Sequence, residues 1–161
     1  FRMGNFDDSL NHINRIIMKH PNDPFYHELK AQIYFEAGKS AALTEYIMAC
    51  EERPHDVLLR LGKAIVGMTI HSDDSHYLQK FYKDLSFVIE NDPNNVLALH
   101  YLAIYYNKKG LMGKSHLNTA LIALKSGRIA DARRMARISM QELPKRSTDW
   151  YKAGDILAAT E

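Results

Sequence analysis

The chain has 161 residues, of which 46% are hydrophobic and 25% charged. This composition excludes a disordered segment, and no apolar run approaches the roughly 18 residues that a membrane-spanning helix needs. The formal net charge of +2 is too small to imply a nucleic-acid or membrane partner by itself. The single cysteine, Cys50, can form no intramolecular bridge and reads as a small core residue.

Phe6, Leu10, Ile13, Ile16 and Ile17 recur at helical spacing, with Asn5 as N-cap and Asp7 and Asp8 in the first turn. The second helix is predicted from Phe25 to Ala37 on the stripe Tyr26, Leu29, Ile33 and Tyr34, closed by Gly38 in a left-handed conformation. A third runs from about Ser40 to Glu52 with Leu43, Ile47 and Cys50 inward. Leu58, Leu61, Gly62 and Ile65 then mark a helix in which Gly62 permits close approach of a neighbour. The helix from about Asp74 to Glu90 packs through Phe81, Leu85 and Val88 and exits at Asn91-Asp92-Pro93-Asn94. A stripe of Leu99, Leu102, Ala103 and Tyr106 precedes Lys109-Gly110. Helices from Met112 to Lys125 and from Ile129 to Glu142 follow, the latter with Ala132, Ala136 and Ser139 as small packing residues. A last helix, Ser147 to Ala159, enters through Ser147 or Thr148 and is anchored by Trp150.

Gly4 and Gly38 stand thirty-four residues apart, each followed within seventeen residues by a proline, Pro21 and Pro54, and the stride recurs from Gly127 to Pro144. Thirty-four residues is the period of the tetratricopeptide (TPR) helical hairpin. The expected fold is therefore all-α, a right-handed TPR-like solenoid of about nine helices in a single repeat domain over 1–161. Residues 1–23 form a partial first repeat, and hairpins cover 24–54, 55–93, 94–126 and 113–144, the last two sharing a helix. Residues 147–160 cap the array. Between Gly62 and Pro93 lie seven more residues than the repeat needs, which are expected to loop out from Thr69 to His76.

Phe25-Tyr26-His27-Glu28-Leu29-Lys30-Ala31-Gln32 with Phe35-Glu36-Ala37-Gly38, Asp92-Pro93-Asn94-Asn95, Leu102-Ala103-Ile104-Tyr105 and Gly127 through Arg134 resemble the C-terminal TPR-like domain of bacterial BepA-like zinc metalloproteases. The resemblance implies a protein-interaction module of a larger periplasmic protease concerned with envelope protein quality control. It also implies that zinc and an HExxH protease domain lie upstream. A cytoplasmic location stays open, as does a free-standing TPR adaptor. The chain opens at Phe1 without a signal sequence, so a targeting segment is expected either to precede it or not to exist.

No catalytic residue is expected within the chain. His27-Glu28 begins the HExxH pattern, but Ala31 stands where the second histidine must be one helical turn on. The run His71-Ser72-Asp73-Asp74-Ser75-His76 could suit a divalent cation, yet reads better as a helix entry in which Ser72 or Asp73 caps and Asp74 complements the dipole. No metal site is therefore assigned. Offsets from the packing positions nominate Gln32, Phe35, Arg60, Lys63, His100, Tyr101, Asn107 and Lys108 as a groove for a protein or extended peptide. Arg133, Arg134 and Arg137 form a basic face. Without aromatics between those arginines, nucleic acid is not expected as partner.

Overall fold

The backbone signals above become nine α-helices among the residues that the structure, a computed structural model, describes: 6–72 and 74–160. The expectations placed on Gly4, Asn5 and Asp73 lie outside those residues. Two compact units divide between Val88 and Ile89.

In the first unit, α1 (Phe6–Ile17), α2 (Pro24–Glu36), α3 (Ala41–Glu52) and α4 (Val57–Ile70) pack in succession, and α5 (Ser75–Asn91) begins. Short polar side chains set the helix starts. Asp23 Oδ1 accepts from Phe25 N at 3.0 Å with Pro24 next in line, and Asp56 Oδ1 accepts from Leu58 N and Leu59 N at 2.9 and 3.1 Å. Glycine ends α2: Gly38 has φ of +66°, the N–H of Gly38 donates to Phe35 O, and that of Lys39 donates to Tyr34 O. This double closure satisfies carbonyls that the helix leaves unpaired. Gly110 and Gly127, at φ of +71° and +70°, end their helices in the same way.

Leu59, Val66, Leu85 and Val88 are completely enclosed. Burial of each such side chain contributes about 1.5–3 kcal/mol. Gly62 does admit a neighbour closely, since a Cβ there would lie 2.4 Å from the ring of Tyr46 on α3.

Several expectations for this unit need correction. The surplus between Gly62 and Pro93 does not loop out: α4 continues through Thr69 and Ile70, and α5 resumes at Ser75 and runs 17 residues, so helix takes up the extra chain. Helical backbone satisfies its own hydrogen bonds, whereas a long loop must find other partners. Asp74 itself caps α5, accepting from His76 N and Tyr77 N at 2.9 and 3.2 Å. These backbone donors hold its carboxyl below the usual range. Ile47 and Leu29 face solvent rather than the core, and the inward positions of α3 belong to Ala42, Leu43, Glu45, Tyr46, Ala49 and Cys50. On α1, Ile13 is covered while Ile16 and, just beyond the helix, Met18 are exposed.

The second unit holds α6 (Val96–Lys108), α7 (Met112–Lys125), α8 (Ile129–Glu142) and α9 (Thr148–Ala158). Helix α7 packs on both α6 and α8, and α9 covers α7 and α8. Alanines make the contact: Ala120, Ala123, Ala132, Ala136 and Ala153 are sealed together with Leu117 and Ile156. Ser139 is fully buried, and its Oγ donates to Gly113 O at 2.8 Å across the α7–α8 seam. Ser147 caps α9 as expected, accepting from Trp150 N at 3.1 Å. No helix of the described residues is long and apolar enough to cross a membrane.

Candidate functional site

Small residues between α7 and α8 draw those helices together, while the larger Leu99, Leu102 and Tyr106 of α6 face Leu117 and Leu121 of α7 across a cleft of about 370 Å³. Ile89 and Pro93 complete its apolar lining. The volume lies near the lower end of the ligand-pocket range, about 300–1,000 Å³, room for a few side chains.

The rim is cationic. Lys114 and Lys125 from the two ends of α7 and Lys152 from α9 surround the cleft, against the carboxylate of Asp149. Asp149 Oδ2 lies 3.7 Å from Lys114 Nζ, and its Oδ1 lies 3.7 Å from Lys152 Nζ, both beyond hydrogen-bond reach. The Lys114 ammonium also sits 5.4 Å from the centre of the Tyr106 ring. Lys125 donates to Asn94 Oδ1, and Asn118 Nδ2 donates to Lys114 O at 2.8 Å. An apolar floor under three ammonium groups suits a peptide that carries both aliphatic and acidic side chains. The sequence does not reveal this cleft, because its lysines, two at opposite ends of α7 and one on α9, share no motif.

The nominated groove residues fall in both units. In the first, Gln32 and Phe35 are exposed on α2, with Gln32 Nε2 donating to Glu28 Oε1 at 3.3 Å. Arg60 and Lys63 come together one turn apart on α4, and both reach Asp84 Oδ1 of α5, at 3.6 and 3.0 Å. Arg60 further stacks its guanidinium 4.1 Å from the centre of the Phe87 ring and donates from Nε to Pro54 O. These two cations are thus engaged within the chain. In the second unit, His100 and Tyr101 meet edge to face at 5.4 Å, Asn107 Nδ2 contacts Met112 Sδ at 3.8 Å, and Lys108 is exposed in the last turn of α6. None of these four lines the cleft. On α8, Arg134 pairs with Asp131 at 3.2 Å, Arg137 is exposed, and Arg133 is half-buried with its Nε enclosed and lacking a hydrogen-bond partner.

Two charge clusters in the first unit are structural in character. His27 is buried, with Nδ1 2.7 Å from Glu45 Oε2 and Nε2 3.0 Å from Pro21 O, while Lys30 Nζ lies 2.7 Å from Glu45 Oε1. Burial pushes the Asp84 carboxyl above its ordinary range, offset in part by Lys63 and Arg60. Glu28 is raised as well, first by burial and then by the nearby charge of Asp56, with the Gln32 hydrogen bond opposing. Burial also raises the Cys50 thiol, which leaves it a poor nucleophile. Among the described residues, no three His, Cys, Asp or Glu side chains converge as metal ligands.

No protein-family model matches the sequence, and no curated protein is significantly similar to it. Among solved structures, the chain is similar to MamA from Desulfovibrio magneticus RS-1, with a TM-score of 0.70 at 14% identity over 98% of this chain and 84% of that one. A double mutant of MamA RS-1 gives 0.71 at the same identity and coverage. A thermophilic TPR protein of Thermus thermophilus gives 0.55 at 15% identity over 97% of this chain and 92% of its own. At these identities the likeness speaks for the fold, and the fold is an all-α, TPR-like array of helix pairs.

Proposed function

We propose that this chain is a protein-interaction module, which seats a polypeptide segment of a partner in the cleft between α6, α7 and α9. The observation that carries this reading is the pairing of an apolar floor with a rim of three lysines and one aspartate. The segment inserts aliphatic side chains against Leu99, Leu102, Leu117 and Leu121 and lays acidic side chains near Lys114, Lys125 and Lys152. A TPR-like array supports such a role by presenting a broad helical surface.

A labelled peptide of alternating leucine and glutamate tests it by fluorescence anisotropy. Saturable binding is expected, and the double reversal Lys125→Glu with Lys152→Glu is expected to weaken it at least about tenfold. Absence of saturable binding to the unmodified protein would refute the reading.

We place the module, on the sequence resemblance alone, in a larger periplasmic zinc metalloprotease of the BepA-like kind, where it recruits or positions substrate for the protease domain. Zinc would belong to that domain. The alternative is a free-standing TPR adaptor, a reading that the TPR-like fold supports equally. The sequence that precedes Phe1 in the encoding gene decides between them: an HExxH motif supports the first, and its absence supports the second.

A further inference from the structure

We infer that Asp149 is an internal competitor for the cleft, standing where a carboxylate of the bound peptide must go. This rests on the reading of the cleft as a docking site. Asp149 is the acidic residue of the lining, and it lies between two of the three rim lysines, 3.7 Å from Lys114 Nζ and 3.7 Å from Lys152 Nζ. Those separations are too long for hydrogen bonds, so each ammonium keeps its donors available for a better-placed oxygen. The Asp149 side chain is 29% exposed, and those of Lys114 and Lys152 are 41% and 59% exposed. A pair so open to water is weak, which makes the exchange of one carboxylate for another accessible.

The geometry also explains why a carboxylate belongs at this place in the cleft. Lys114 sits in the first turn of α7 and Lys152 one turn into α9, so the packing of α9 on α7 brings two cations together over apolar surface. Asp149, in the first turn of α9, reduces their repulsion and complements the helix dipole. A partner's carboxylate that pairs with both lysines first displaces Asp149. Peptides without acidic side chains gain nothing from the exchange and leave Asp149 in place, so its carboxylate bears only on the affinity for acidic segments.

The test measures two labelled peptides by anisotropy, one alternating leucine and glutamate and its counterpart alternating leucine and glutamine, against the unmodified protein, Asp149→Asn and Lys152→Gln. Asp149→Asn is expected to tighten the acidic peptide about two- to fivefold, the range one exposed ion pair supports, and to leave the glutamine peptide unchanged. Lys152→Gln is expected to weaken the acidic peptide by a similar factor, and high salt to shrink both effects. An unchanged or weaker acidic peptide with Asp149→Asn would overturn the competitor role while the docking site stands. Should Asp149→Asn prove misfolded by circular dichroism, an acidic peptide that Lys152→Gln fails to weaken would overturn it equally. If neither peptide binds any of the proteins, the docking reading falls and the competitor role with it.

Discussion

Glu28 and Asp84 show how position overrides residue type. Both carboxyls are raised above their ordinary values, chiefly by burial. A carboxyl whose folded value lies above its unfolded one binds more protons in the folded state across the interval between the two values. Stability therefore falls as pH rises through that interval, and the full penalty is present above it. Replacing Glu28 by Gln should remove its share, so Glu28→Gln is expected to be at least as stable as the unmodified chain at neutral pH, with the difference narrowing on acidification. Urea midpoints between the neutral and the weakly acidic range would check this; a Glu28→Gln variant that is less stable at neutral pH would contradict it. Arg60 and Lys63 carry a related lesson, since reversing both charges would gather three carboxylates around a half-buried place. Their replacement tests stability before it tests binding.

Helix boundaries were legible wherever a single residue has a physical monopoly. Gly38, Gly110 and Gly127 end α2, α6 and α7 because a left-handed residue is needed there, and only glycine takes it without strain. Gly38→Ala is accordingly expected to cost about 1 kcal/mol, read as a shift in thermal or urea midpoint. No measurable change would mean that the turn relaxes to another conformation. The small residues of α8 were legible for a like reason, since Ala132, Ala136 and Ser139 leave room for a close neighbour. What escaped the sequence depends on register between helices. The burial of Glu45 becomes intelligible only once α2 sets His27 and Lys30 against it, and the outward turn of Ile47 follows from the same packing. The extra residues before α5 are not legible as helix, because spacing between motifs counts residues without saying whether helix or loop contains them.

The TPR-like character was legible from the thirty-four-residue stride, and the likeness to solved TPR-like structures over 97–98% of the chain agrees with it. The proposed docking site was not, because Asp149 and Lys152 meet Lys114 only when α9 lies against α7. In the reading proposed above, this cleft, rather than the nominated row on α2 and α4, receives a partner's peptide. Amide chemical-shift mapping of the full chain during titration with the leucine–glutamate peptide tests it most directly. Saturable shifts are expected, centred on Leu99, Leu102, Leu117, Leu121 and Lys152. Shifts centred instead on Gln32, Phe35, Arg60 and Lys63, or none at saturating peptide, would contradict it.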